Sequence, residues 1–473
     1  MYLLFIILSI VISLSIFLFK KKNVTTILSM VFLASLVFTS SYAYLNINKT
    51  DNIFFRYDSL GVLLSFVLTI LSLTTFYFSR NYLKKFDYNS RNVSIYYAAL
   101  IMLITALLSA YFSNNIAVLW VSIEATSLFV SILVFFDRSK VALEASWKYL
   151  FVSSIGIAVA FVGILLLSIS ASNNGFTDLS FETLINAVGN IDTLWLKISI
   201  LLIITGFSVK LSVFPLYAVA VDAKTIAPSP ISALMSTVLV NAGFVAIFRT
   251  YTVIAHTEIV AWAQNVLFIV GLFSIFIASI QLLRVKRLKR TFAFSTMEHM
   301  GIVAIGLAVG GIGYYAVILH IVLHSFVKAG LFYQINQIHT TFKSKWIDNF
   351  SGYFKINPLA GITMLIGLIC ITAIPPSGLF VSEFLIFKAL FLGHRYIIAI
   401  AALILLTVIM YVILTKIFLG VLYGNVPDKI ETHKPNYLEH IIQIGFFGLV
   451  MYLGINPPEF FIDLINNSIA ILN

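Results

Sequence analysis

Three ionisable side chains, His320, His324 and Lys328, recur at a spacing of four inside the apolar run Ala316–Phe332. On an α-helix that spacing stacks them on one face. Their neighbours Val317, Ile318, Ile321, Val322, Phe326 and Val327 are too apolar for a solvent-facing helix. Ionisable groups inside such a segment are costly, face a polar interior and mark ion or proton pathways. Two imidazoles and an ammonium can accept and hand on protons, so the chemistry on offer is proton relay. The competing role is hydrogen bonding between helices, which explains one histidine more readily than three aligned titratable groups.

Other apolar runs carry the same kind of residue. Glu124 lies in VLWVSIEATSLFV, and Lys210 lies in IITGFSVKLSVFPLYAV, five residues before Pro215. Proline removes a backbone donor and clashes with the preceding turn, so this helix should break near Lys210. Breaks at membrane depth are tolerated where they line a cavity, and broken helices build ion sites in transporters. A Glu124–Lys210 pair is therefore read as a switchable proton carrier, against the alternative of a static ion pair pinning two helices. Glu383 repeats the arrangement in IPPSGLFVSEFLIF, seven residues after Pro376 in the Pro375-Pro376 pair. Lys148, in EASWKYLF, is read as an interior lysine on the span before the first break, as Lys328 is before the second. Glu298 and His299, in FSTMEHMG, are candidates for a polar link at or near mid-membrane.

The elements that must position these groups follow from composition. The 473 residues are 60% hydrophobic and 10% charged, whereas a soluble domain averages about 25% charged. The chain is thus an all-α polytopic membrane protein. With about 20 residues per span, the apolar runs make about fourteen transmembrane helices. They lie near 1–19, 24–45, 57–79, 93–113, 116–136, 146–170, 195–218, 230–249, 258–283, 291–310, 313–339, 357–392, 396–423 and 437–455. The first span resembles a signal peptide, but no basic segment precedes it and Lys20–Lys22 follows it, so it is read as a retained helix. The proline-bearing seventh and twelfth helices lie five spans apart, and SWKYLF faintly echoes SFVKAGLF. Two five-helix repeats are expected, inverted because each holds an odd number of spans. The organisation expected is 1–92 as an N-terminal three-helix segment, 93–250 and 258–423 as the repeats, and 437–473 as a C-terminal helix.

The formal charge of +11 does not point to nucleic acid, because the basic residues sit in short loops where they orient a membrane protein. Lys20–Lys22, Arg80, Lys84, Lys85, Arg91, Arg138, Lys140, Lys224, Arg284–Arg290, Lys343, Lys345, Lys355, Lys429 and Lys434 fall on one side. The opposite side holds Lys49, Arg56, Arg249 and Arg395, with Lys197 at a helix end. Its loop 171–194 carries Asp178, Glu182 and Asp192 and no Lys or Arg. By the positive-inside rule both termini lie on the outer side of a cell inner membrane. Cys370 is the only cysteine, so an internal disulfide and a thiolate metal motif are excluded. No metal site, phosphate-binding loop or nucleophile–base arrangement is visible, and no catalytic centre is expected in the chain.

At LWVSIEATSL, LEASWKYL, GFSVKLSVFPLYAVAVDAKTIAPSPISALMS, KRTFAFSTMEHMG, LHIVLHSFVKAGLF and PPSGLFVSEFL the chain resembles the antiporter-like membrane subunits of complex I, Mrp-type cation/proton antiporters and membrane-bound hydrogenases. The resemblance covers about 110–400, and WKYL, STMEHMG and GLFVSEF are similar to the F component of hydrogenase-4, of the formate-hydrogenlyase branch. It implies fourteen helices with inverted five-helix repeats. It implies Glu124 as partner of the carrier Lys210, a central relay of His320, His324 and Lys328, and Glu383 as the terminal residue toward the outer side. Many relatives carry His or Lys on the eighth span, where this chain has Ser236, and some carry an acidic residue where it has Arg287. The expected function is proton translocation within a redox-driven complex. The chain itself binds no cofactor; partner subunits of the membrane arm and a peripheral redox module supply iron–sulfur clusters and a [NiFe] or quinone site. The alternatives are a secondary Mrp-like cation/proton antiporter module, the membrane subunit of an inorganic-carbon uptake system, and a structural subunit with a vestigial pathway.

Overall fold

The computed structural model describes residues 1–84, 90–426 and 436–472. The loop residues Lys85, Lys429 and Lys434 lie outside the described residues. Apart from isolated bridges such as Asn115↔Ser180, the described secondary structure is helical. In chain order the first helices are α1 (Tyr2–Phe19), α2 (Lys22–Leu45), α3 (Ser59–Lys84), α4 (Ser90–Phe112), α5 (Ile116–Val134) and α6 (Lys140–Ser172). There follow α7 (Phe181–Ala187), α8 (Thr193–Leu211), α9 (Ala218–Ile226), α10 (Ser229–Ser236), α11 (Val238–Ile254), α12 (Val260–Arg284) and α13 (Leu288–Val309). The rest are α14 (Ile312–Phe342), α15 (Tyr353–Ile356), α16 (Pro358–Ile371), α17 (Gly378–Leu392), α18 (Tyr396–Val412), α19 (Tyr437–Ile455) and α20 (Glu459–Ile469). Helix α18 runs on as a π-helical segment, Ile413–Leu422.

Among the described residues thirteen helices are long and apolar enough to cross a membrane, with α10 and α11 counted as one span. The interrupted pair α16 and α17 completes the fourteen that the apolar runs predict. Four short helices lie outside that expectation: α7 within the acidic loop 171–194, α9 after the first break, α15 ahead of α16, and α20 after Asn456-Pro457-Pro458, where the last span stops. The chain divides into two compact units: Met1–Ile231 with Val238–Ala263 and Asp463–Asn473, and Ser232–Thr237 with Gln264–Ile462.

Helix starts in these apolar segments are fixed by side chains that satisfy otherwise orphaned amides. Asn115 accepts from the amides of Ala117 (2.9 Å) and Val118 (3.4 Å) to open α5, and Asp192 accepts from Leu194 (2.9 Å) to open α8. Asn357 accepts from Ala360, with Pro358 at the first position of α16.

Both predicted breaks are present. Helix α8 ends at Leu211; Ser212 takes a left-handed conformation (φ 63°), and α9 begins only at Ala218. The seventh span therefore stops seven residues short of the 218 boundary read from hydropathy, because Pro215 cannot continue the helix. Helix α16 ends at Ile371, Ala373 is left-handed (φ 50°), and α17 starts at Gly378. In each case the left-handed residue precedes a proline, Pro215 or Pro376, by three positions. The Phe214-Pro215 and Pro375-Pro376 bonds are both cis.

Small residues set how closely helices approach. A Cβ at Gly206 would lie 2.5 Å from the Ala160 amide nitrogen and the Gly156 carbonyl oxygen. One at Gly163 would lie 2.7 Å from the Ser199 carbonyl oxygen. Helices α6 and α8 thus touch backbone to backbone, the close packing that small residues permit between membrane helices. In the second unit a Cβ at Gly271 would lie 2.7 Å from the Gly301 carbonyl oxygen, which brings α12 and α13 together in the same way.

Candidate functional site

In the first unit α5, α6 and α8 converge on Lys210, in the last turn of α8 beside the break. Its Nζ donates to Ser127 Oγ (2.8 Å), Thr126 Oγ1 (3.0 Å) and Tyr149 Oη (3.3 Å), and its side chain is buried. The close α6–α8 contact is what brings Tyr149 to it. Glu124 does not touch Lys210. One of its carboxylate oxygens accepts from Ser154 Oγ (2.6 Å) and the other from Ser127 Oγ (3.2 Å). The expected pair is therefore bridged: the Ser127 hydroxyl accepts from the ammonium and donates to the carboxylate. Ser153 Oγ lies 3.1 Å from Ser127 Oγ.

Lys148, expected in the interior, faces outward. Its side chain is 56% exposed and pairs with Glu144 one helical turn away. Successive residues on an α-helix are rotated by about 100°, so the neighbouring Tyr149, not Lys148, points at Lys210. Conversely, Lys224 and Arg249, read as loop charges, are buried. Lys224 donates to Ser212 Oγ (2.9 Å) at the first break. Arg249 grips both oxygens of Asp58 at 2.9 Å.

In the second unit α13, α14, α16 and α17 surround His299, His320 and His324, all fully buried. His299 sits between the other two, its ring centroid 5.2 Å from that of His320 and 5.1 Å from that of His324. His299 Nε2 donates to the Ile371 carbonyl (3.1 Å), the last of α16, which the break leaves without an intrahelical partner. His299 Nδ1 lies 3.5 Å from Glu383 Oε1, and Glu298 Oε2 lies 4.0 Å from Nε2. His320 Nδ1 bonds Ser382 Oγ at 2.9 Å. Lys328, one turn past His324, donates to the Phe292 carbonyl (2.9 Å) and stands over that residue's ring. Glu383 therefore meets the cluster at His299 rather than at Lys328. A cavity of about 620 Å³ reaches Glu298 and Glu383, walled by Phe380, Phe384, Phe387 and Met410 with Lys388. Ser236, where relatives were expected to carry His or Lys, is fully buried.

Each unit holds buried titratable groups close together, with Lys210 at the end of α8 and His299 bonded to the last carbonyl of α16, each beside a helix break. Residues 113–410, more than half of the chain, match the family described as NADH:quinone oxidoreductase/Mrp antiporter, transmembrane. This chain belongs to that family. It is 29% identical over 413 residues to the hydrogenase-4 component F homolog of Methylacidiphilum infernorum, covering 86% of each chain. The fold is also that of a chain of the membrane-bound sulfane sulfur reductase, an archaeal respiratory membrane complex (TM-score 0.89, 21% identity, 100% of this chain and 97% of that one). A chain of the Mrp complex from Dietzia sp. has the same fold (TM-score 0.84, 16% identity, 100% and 97% covered). An antiporter-like membrane subunit is thus the class of protein in hand.

The charged residues of the site were legible from sequence, but the hydroxyls that connect them were not. Ser127 lies three residues from Glu124, and Tyr149 and Ser382 lie beside Lys148 and Glu383, but Thr126 and Ser154 gave not even that signal.

Proposed function

We propose that the chain is a proton-translocating subunit of a multi-subunit membrane complex, lying in the cell's inner membrane with both termini outside. The observation that carries this reading is the Lys210–Ser127–Glu124 bridge: a buried ammonium joined to a carboxylate through one hydroxyl, beside a broken helix. A proton can pass from Nζ to the Ser127 oxygen as the Ser127 proton moves to Glu124, and rotation of the hydroxyl resets the link. The second unit offers a parallel route along Glu383 and His299, 3.5 Å apart, then His320 and His324, whose ring centroids lie 5.2 and 5.1 Å from that of His299, and Lys328 one turn past His324. The energy would come from partner subunits carrying iron–sulfur clusters and a [NiFe] or quinone site, in keeping with the hydrogenase-4 and NADH:quinone oxidoreductase relationships.

A cation/proton antiporter module is the second reading, favoured by the full-length likeness to an Mrp chain. Co-purification separates the two: redox subunits support the first, Mrp-type partners the second. The proton reading itself is tested with Glu124→Gln and Lys210→Met in the assembled complex. Each should abolish proton movement in sealed vesicles while assembly persists. Normal pumping by either variant refutes the carrier role, and loss of assembly instead favours a static structural link.

A further inference from the structure

We infer that His299, His320 and Glu383 form a binding site for a divalent transition-metal cation of the zinc class. Three helices bring these residues together, so no ligand spacing announces them in the sequence. One ligand atom from each lies within 4.8 Å of the other two.

The hydrogen bonds around the imidazoles set which nitrogen faces the cluster. The Ile371 carbonyl can only accept, so His299 Nε2 carries the proton and Nδ1 presents a lone pair. The Ser382 hydroxyl gives its proton to the Leu379 carbonyl (2.9 Å), so it accepts from His320 Nδ1 and leaves the lone pair on His320 Nε2. These two lone-pair nitrogens, His299 Nδ1 and His320 Nε2, are buried without a hydrogen-bond partner. Metal-ligating histidines are oriented in this way, with the second ring nitrogen held by a carbonyl or other acceptor that fixes the tautomer.

Two imidazole nitrogens and one carboxylate oxygen form a ligand set zinc accepts, with a fourth position left for water. Zinc at about 2.0–2.1 Å from each atom needs them roughly 3.4 Å apart. Glu383 and His299 are already at 3.5 Å, and inward rotation of His320 supplies the remainder. The carboxylates of Glu383 and Glu298 together offset a double positive charge. Both carboxylates line one cavity of about 620 Å³. Sodium and calcium prefer shells of several oxygens and fit this set poorly. A bound cation occupies the lone pairs that the proposed relay uses, so zinc should block proton flux. That consequence rests on the relay reading, whereas the binding does not.

The test uses the assembled complex and buffered Zn²⁺ alone, read by equilibrium binding and zinc-edge X-ray absorption. The expected shell is nitrogen and oxygen without sulfur. His320→Ala and Glu383→Gln, which each remove a ligand, should weaken binding by more than the roughly tenfold loss typical of a partner behind a ligand, while His394→Ala, at an exposed imidazole, leaves it unchanged. Ser382→Ala, which removes only the acceptor behind His320, should weaken binding measurably in a folded protein. An absence of tight binding, a shell containing sulfur, or unchanged affinity in His320→Ala overturns the site. Flux that continues with the site filled overturns the block and the relay role of these residues, and leaves the binding standing.

Discussion

At the scale of single residues the decisive group is one that carries no charge. Ser127 links Lys210 to Glu124, accepting at 2.8 Å and donating at 3.2 Å. A hydrogen bond to a charged group contributes about 1.5–3 kcal/mol, and each 1.36 kcal/mol is about tenfold in rate. Ser127→Ala should therefore slow proton flux roughly ten- to a hundredfold, and Ser127→Thr, which keeps the hydroxyl, should restore most of it. Flux measured with a pH-sensitive dye in proteoliposomes decides this; undiminished flux in Ser127→Ala shows that Lys210 and Glu124 are linked by another path. Lys328 provides a second test. Arginine keeps the charge but does not release its proton in a protein. A carrier lysine makes Lys328→Arg as inactive as Lys328→Ala, whereas rescue by arginine assigns Lys328 to the field that orders the cluster.

Charged residues in apolar runs can be read from sequence because their burial needs an explanation. Serine and threonine need none, since they can bond the carbonyl four residues back, as Ser325 and Thr105 do here. Which hydroxyl turns instead toward a neighbouring helix is decided only when the helices pack. Lys148 shows the converse error: position within an apolar segment says nothing of helical phase, and its side chain pairs with Glu144 on the outer face.

At the scale of elements the spans and both breaks were readable, because a membrane helix requires a long apolar run and an interior proline interrupts it. The closeness of α6 to α8 was not, since glycines scattered through spans do not announce their partners. Gly206 tests that contact. A methyl group there would sit 2.5 Å from the backbone of α6, and overpacking of this kind costs about 1–3 kcal/mol. Gly206→Ala should lower the thermal unfolding midpoint in detergent and draw Tyr149 away from Lys210. Gly445→Ala, where a Cβ would meet nothing within 4 Å, should leave stability unchanged. Equal midpoints for the two variants would show that α6 and α8 do not depend on that approach. The αL residues Ser212 and Ala373 belong to the same scale. Each ends one helix beside a group that bonds across the gap, Lys224 to Ser212 and His299 to Ile371, so the breaks position chemistry as well as interrupt the chain.

At the scale of the whole molecule the open choice is between protons and sodium ions. Membership in a family that includes antiporters leaves both in play. The interior of the first unit offers three hydroxyls and a nearby carboxylate, which resembles an alkali-cation site until Lys210 is placed in it. Its ammonium already fills the point on which Thr126, Ser127 and Tyr149 converge. A sodium ion would have to displace that charge or sit beside it, and would gain few oxygens in exchange. The second unit offers imidazole nitrogens where a hard cation prefers oxygen ligands. Proton movement by the assembled complex should therefore proceed at the same rate with and without millimolar sodium at fixed pH and ionic strength, and sodium should not accumulate in the vesicles. A rate that collapses when sodium is replaced by choline, with radiolabelled sodium entering as protons leave, would assign the chain to the antiporter branch and leave Lys210 as the group that sodium must displace.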